Sequence, residues 1–176
     1  DGAIEEGVFF ESVNFAALHQ LPILFICENN LYSVYSGLEK RQPQGRKIHE
    51  LAQSIGVSSD YGDGNDSIQT YELIAEAINA IRAGRGPRFI EFSTYRWLEH
   101  CGPNFDNNIG YRSEKEFKKW KEKDPVKRLK RLIGNKFSKE IKKINNEIKK
   151  EVIKSFEFAE KSDFPKKSEA YKGVYA

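Results

Sequence analysis

The opening residues Asp1-Gly2-Ala3 and the stretch "ENNLYS" that begins at Glu28 hold the residue types of a divalent-cation site. A carboxylate, a carboxamide oxygen and a backbone carbonyl are hard, partly neutral donors suited to Mg²⁺ or Ca²⁺. Such a set leaves coordination positions for diphosphate oxygens. A helix starting near Ala3 or Ile4 would aim its first N–H groups at the same anion. Arg96 or His100, both in "YRWLEHCGPN", would add positive charge. Each feature is weak alone: Asn29 and Asn30 read as turn residues, Asp1 as a chain end and His100 as a hydrogen-bonded loop residue. Together they support a metal-bridged diphosphate, and the organic group it carries does not follow from them.

Elements must bring these stretches to one place. Glu5 to Gln20 has no breaker after Gly7 and sets Val8, Phe9, Val13, Ala16 and Ala17 near one face, which predicts a helix stopped by Leu21-Pro22. Pro22 to Cys27 is short and continuously apolar, the pattern of a strand covered on both sides in a parallel sheet. Ser33 to Lys47 is a polar linker with a turn signal at "PQG", and Ile48 to Ile55 is helical. Glycine and aspartate crowd the turn "VSSDYGDGNDS", after which Asp66 or Ser67 caps a helix running to Ala83. Arg88 to Tyr95 is a second buried strand, parallel to the first. This order predicts an α/β fold with crossover connections. Ligands of such sheets bind outside the carboxyl ends of the strands, where both polar loops lie.

Residues 96–112 form a long aperiodic loop, and its aromatics and histidine favour an ordered, functional segment. Ser113 with Glu116 has capping-box spacing. Asp124-Pro125 starts a short helix, and a long one begins near Ser138. The tail carries Tyr171, Val174 and Tyr175, expected to dock elsewhere. Three parts result: a core at 1–112, a helical extension at 113–160 and a tail at 161–176.

The 176 residues suffice for one domain with a sizeable core plus an appendage. The chain holds no methionine and starts at Asp1, as expected of a piece of a longer polypeptide. No apolar run reaches membrane-spanning length and nothing in these residues resembles a signal peptide, so no membrane association is expected and the cytoplasm is the default. Cys27 and Cys101 are too few for a disulfide scaffold or a zinc cluster. The net charge of +3 divides into about −6 up to Arg112 and about +9 beyond it. The lysines of the basic part recur at helical spacing around Ile141, Ile144, Ile148 and Val152, with glutamates mixed in. That is the wet face of an amphipathic helix, and no nucleic acid is expected as a partner.

The run "DGAIEEGVFFESVNFAALHQLPILFICENNLY", then "GDGND" and "GPRFIEFSTYRWLEHCG...GYR", resembles the alpha subunit of the thiamine-diphosphate-dependent 2-oxo acid dehydrogenases. The resemblance covers residues 1–112 and extends to Leu132 through "DPVKRL". The family's Gly-Asp-Gly…Asn-Asn motif falls on Asp1-Gly2 and Asn29-Asn30. The resemblance implies the thiamine diphosphate-binding fold, three α/β/α layers around a mostly parallel sheet, with a helical C-terminal extension. It implies Mg²⁺ held by the Asp1 carboxylate, the Asn30 side-chain oxygen and the Tyr32 carbonyl. Gly2 and Ala3 would contact the diphosphate through their backbone, His100 would stand beside it in the active site, and Arg96 would order the loop. The implied reaction is oxidative decarboxylation of a 2-oxo acid, with acyl transfer to a lipoyl group on an acyltransferase or a similar acceptor. The activating glutamate would come from a beta-type subunit in a dimer or an α₂β₂ assembly. A transketolase-like or synthase-like transfer of a carbon unit between sugars is the alternative. Departures from the family pattern are Trp97-Leu98-Glu99 in place of a histidine-rich stretch, Cys101 in place of a phosphorylatable serine, and, in the segment after "NNLYSVYSGLEKRQ", no histidine where many relatives carry one in a mobile active-site loop. They fit an unusual substrate or acceptor.

Overall fold

A computed structural model describes residues 1–173. By chain contacts it falls into two compact units, 1–132 and 133–176. The first is an α/β unit with a parallel sheet in the order β1-β5-β4, formed by Leu24–Asn29, Arg88–Ser93 and Ser58–Asp63. The two apolar strands are parallel neighbours, Leu24 opposite Arg88 and Asn29 opposite Ser93.

Strand alternation decides which layer each side chain meets. On β5, Phe89 faces a core with Val13 of α1 (Gly7–Leu18) and Ile48 and Ala52 of α3 (Ile48–Ser54). Ile90 and Phe92 face the other way, against Ala77 of α4 (Ser67–Arg82). Helices thus cover both faces of the central strand, giving the three expected layers. Asp66 caps α4, its carboxylate accepting from Ile68 and Gln69 N–H at 3.1 and 3.2 Å.

Three expectations change. β4 lies inside the stretch read as a turn: it is an edge strand, mostly polar and exposed, so it carries no apolar signature. β1 is not covered on both sides, because Ile26 is 48% exposed on a strand that pairs only with β5. The polar linker contains a small hairpin, β2 (Tyr32–Ser33) with β3 (Ser36–Gly37), and one helical turn, α2 (Leu38–Arg41).

Ser113 caps α5 (Glu114–Lys121) by accepting from Glu116 N–H at 3.1 Å. The Glu116 carboxylate does not complete a capping box: it accepts from the Tyr32 hydroxyl at 2.8 Å. Asp124 starts α6 (Pro125–Ile133). In the second unit, α7 (Ser138–Lys161) is a long amphipathic helix whose Ile144, Ile148 and Val152 stay half exposed. Tyr171 is exposed rather than docked, and Val174 and Tyr175 lie outside the described residues. Among the described residues no helix is long and apolar enough to cross a membrane.

Candidate functional site

β1 and β5 run parallel and end level with each other, and the chain leaves β1 directly into Asn30-Leu31-Tyr32. This turn is built from its own carboxamides. Asn29 Oδ1 accepts from Leu31 N–H at 3.2 Å and Asn30 Oδ1 from Tyr32 N–H at 3.1 Å, two successive Asx turns. Between them Leu31 sits at φ 74°, a left-handed conformation that a bulky side chain rarely adopts.

Asp1 meets this turn. Its Oδ1 accepts from the Asn30 N–H at 3.2 Å, joining residues far apart in sequence. The Asp1 side chain is 1% exposed. Its other oxygen is paired with Arg41 Nη2, from the last position of α2, and Arg41 Nη1 reaches Glu5 Oε1 at 2.5 Å. A cation therefore already stands on the carboxylate expected to hold a metal. Arg41 and Glu5 carry no sequence signal of this role, since nothing local in "GLEKR" distinguishes this arginine from a solvent one.

Gly2 is held close, but to protein. A Cβ there would come within 2.7 Å of Ser33 Oγ and 2.9 Å of Ser33 Cβ. The helix expected at Ala3 or Ile4 is a single 3-10 turn, Ala3–Glu5, and extended Glu6 (ψ 142°) separates it from α1. The N–H groups at Ala3 and Ile4 thus belong to a short turn and not to a long helix dipole.

Tyr32 faces two ways. Its backbone lies in the hairpin, while its hydroxyl donates to Glu116 at 2.8 and 3.0 Å. Burial, and the Glu116 carboxylate that accepts from it, push this phenol well above its usual range, so it stays a donor. Burial also raises the Cys27 thiol, an inert core sulfur.

Beyond β5, Arg96 Nη2 donates to the Val34 carbonyl and to the Tyr111 hydroxyl, both at 2.9 Å. It makes no ion pair with Glu99 or Asp106, the plain alternatives for its charge: Glu99 accepts from Asn104, and Asp106 is bound to Arg112. Arg96 Nε and Nη1 are buried without an acceptor. The order of the loop comes chiefly from Arg112, for which the sequence carries no local signal. Its side chain is fully buried, donates to the Arg96 and Trp97 carbonyls and to Asp106, and lies over the Tyr95 and Tyr111 rings at 5.1 and 5.3 Å. Burial pushes the Asp106 carboxyl up, but the Tyr111 hydroxyl and the Arg112 guanidinium outweigh it and hold it below the usual carboxylate range. His100 is exposed in this loop.

A cavity of about 330 Å³ is lined by Asn30, Thr94 and Arg96 together with Ile26 and Glu28. Asp1 lines an adjoining, more apolar hollow of about 630 Å³ that shares Ile26 and Glu28. Asp1 and Asn30 therefore touch at the boundary between two hollows, and His100 lines neither. Among the described residues no three His, Cys, Asp or Glu side chains cluster around a cation. What the turn offers is of another kind, one buried carboxylate next to a carboxamide residue, types that suit a hard cation that keeps positions for phosphate oxygens. The unpaired Arg96 nitrogens beside Asn30 suit an anion. By chemical type, Asp1, Asn30 and Arg96 fit Mg²⁺ and a diphosphate.

Residues 1–168 match the family described as dehydrogenase E1 component. A pyruvate dehydrogenase E1 component subunit alpha from Rickettsia bellii is 31% identical over 99% of this chain and 53% of its own length. The pyruvate dehydrogenase E1 component subunit alpha-3, chloroplastic, of Arabidopsis thaliana is 35% identical over the whole of this chain and 41% of its own. The chain spans about half the length of the curated relatives it matches. Among solved structures, a transketolase from Campylobacter jejuni aligns with a TM-score of 0.45 at 21% identity, over 79% of this chain and 28% of its own.

Proposed function

The chain belongs to the dehydrogenase E1 component family, and from that premise we propose that it is the cofactor-holding part of the alpha subunit of a thiamine-diphosphate-dependent 2-oxo acid dehydrogenase. The observation that carries this reading is the contact of the Asp1 carboxylate with the Asn30 turn at the carboxyl end of β1. Asp1, the Asn30 side-chain oxygen and the Tyr32 carbonyl would hold Mg²⁺. Bound thiamine diphosphate would supply the carbanion chemistry of 2-oxo acid decarboxylation.

This chain's own residues orient, neutralise and enclose. Gly2 and Ala3 would offer backbone contacts to the diphosphate, and the spare Arg96 nitrogens would complement its charge. The neutral Tyr32 hydroxyl ties the turn to α5 through Glu116. His100, exposed on the loop that Arg112 braces and outside both hollows, would exchange a proton with substrate. The glutamate that activates the cofactor belongs to a beta-type partner subunit in an α₂β₂ assembly, and the acyl unit passes to a lipoyl acyltransferase in the cytoplasm. The family match favours this reaction over carbon-unit transfer between sugars.

The test is titration of thiamine diphosphate, with and without Mg²⁺, into the full-length chain with its partner. Asn30→Ala removes one metal-bound oxygen, worth roughly 1.5–3 kcal/mol, so Mg²⁺-dependent affinity should fall about ten- to a hundredfold. Unchanged Mg²⁺ dependence would remove Asn30 from the metal and the reading with it.

A further inference from the structure

Glu91 is a carboxylate in the middle of the central strand, 4% exposed, between Ile90 and Phe92. The roles assigned above leave it unused. A charge in such a position is tolerated only when its oxygens are fully engaged, and these are. Oε1 accepts from Asn29 Nδ2 at 2.8 Å. Oε2 accepts from the His49 backbone N–H at 3.0 Å and faces His49 Nδ1 at 2.7 Å. Lys47 gives α3 no side-chain cap, so Glu91 supplies the acceptor that its first turn lacks. His49 is fixed in turn by Ser59, whose hydroxyl donates to its carbonyl at 2.6 Å, and by the Tyr61 ring 5.2 Å away.

The consequence runs towards the turn. An ionised carboxylate is acceptor-only, so Asn29 must present Nδ2 to it and Oδ1 to the other side. That side is the Leu31 N–H, at 3.2 Å. The bond helps hold Leu31 left-handed at φ 74°, a conformation that persists only where the surroundings over-determine it. Leu31 sits between Asn30 and Tyr32, the two donors assigned to the cation. A flipped or displaced Asn29 would set Leu31 N–H against a donor and release the turn.

We propose that the buried Glu91 carboxylate, acting through Asn29, is a positioning residue that sets the Asn30–Tyr32 turn for divalent-cation binding, an inference that rests on the metal reading above. Glu91 touches neither the cation nor substrate in this role. Its influence is the hydrogen-bond polarity that it imposes on Asn29.

Polarity can be reversed without changing shape. Asn29→Asp sets two carboxylates against each other. Glu91→Gln leaves either the His49 or the Leu31 N–H without an acceptor, whichever way the amides turn. The double variant, Asn29→Asp with Glu91→Gln, restores every bond. The new amide nitrogen at position 91 donates to one oxygen of the new carboxylate at position 29, and Leu31 N–H donates to the other. The amide oxygen at position 91 still accepts from His49 N–H.

The experiment is Mg²⁺ titration of the full-length chain with its partner and thiamine diphosphate, read by tryptophan fluorescence, alongside the thermal midpoint without Mg²⁺. Each single variant should weaken Mg²⁺ affinity about tenfold, and the double variant should recover to within about threefold of the parent. Singles that lower the midpoint but keep the parental Mg²⁺ affinity would overturn the inference, as would a double variant that recovers only the midpoint. If a charge variant does not fold, Asn29→Ala decides in the same titration: about tenfold weaker binding upholds the inference and unchanged binding overturns it. Asn30→Ala, run in parallel, separates the two claims. If it loses Mg²⁺ binding while the Asn29 and Glu91 variants keep it, only the positioning role fails; if it too binds normally, the metal reading fails.

Discussion

Replacing Arg112 with methionine should release the loop after β5 while leaving the sheet folded. The guanidinium is fully buried, donates to the Arg96 and Trp97 carbonyls and pairs with Asp106, itself 4% exposed. At an effective dielectric near 20, unit charges about 4 Å apart attract by roughly 4 kcal/mol. Removing one partner of a buried pair costs about 3–5 kcal/mol, because the other charge is left stranded. Asp106 keeps its bond from the Tyr111 hydroxyl at 2.7 Å, which places the expected loss at the lower end. The loop can relieve the stranded carboxylate by opening into water, so the loss should appear as local opening rather than global unfolding. Hydrogen exchange resolved by peptide should show residues 96–112 losing protection, while Phe89 to Phe92 on the central strand stay protected. The same contact fixes a pH dependence. The Asp106 carboxyl is held below its unfolded value of about 3.9. Its contribution is therefore complete above that value and is lost as pH falls through the lower folded one. The parent loop should open in acid below about pH 4, and Arg112→Met should open it at neutral pH. Parental protection of 96–112 in the variant at pH 7 would refute the bracing role.

Two further substitutions probe the rim of the sheet. Arg41→Gln frees the Asp1 carboxylate of a bond to charge worth about 1.5–3 kcal/mol; the metal-free chain should lose stability and Mg²⁺ affinity should rise by about ten- to a hundredfold. A fall in affinity on titration would instead make Arg41 part of the occupied site. Gly64→Ala puts a Cβ 3.1 Å from Phe92 Cβ and from the Ser93 carbonyl oxygen, to which Gly64 itself donates. Overpacking should cost about 1–3 kcal/mol in chemical denaturation, and parental stability would show that β4 can shift away from β5.

What could be read from the sequence and what could not divide by the distance over which each feature is decided. The Asp66 and Ser113 caps and the chain-breaking Leu21-Pro22 are settled within a few residues, and the layers follow from the apolar runs of β1 and β5. β4 escaped because its edge position lets "SSDYGD" be polar, so its pairing with Ser93 and its neighbours leaves no hydrophobic trace. The site divides in the same way. That Asn29 and Asn30 form a turn is local; which carboxamide turns inward is decided by Glu91, sixty-two positions on. In "FIEFS" that glutamate looks like an intrusion in an apolar strand. Arg41 on Asp1 and Arg112 on Asp106 are invisible for a related reason, since a basic residue's sequence neighbours do not say which carboxylate it will meet. The geometry at Asp1 and Asn30 thus depends on pairings between β1, β5 and α3, whose partners lie tens of residues apart. A peptide of the turn alone would lack both the carboxylate that receives Asn30 N–H and the one that orients Asn29, so nothing would hold Leu31 left-handed. The arrangement of the proposed cation donors is therefore a product of the packed sheet and should be lost together with it.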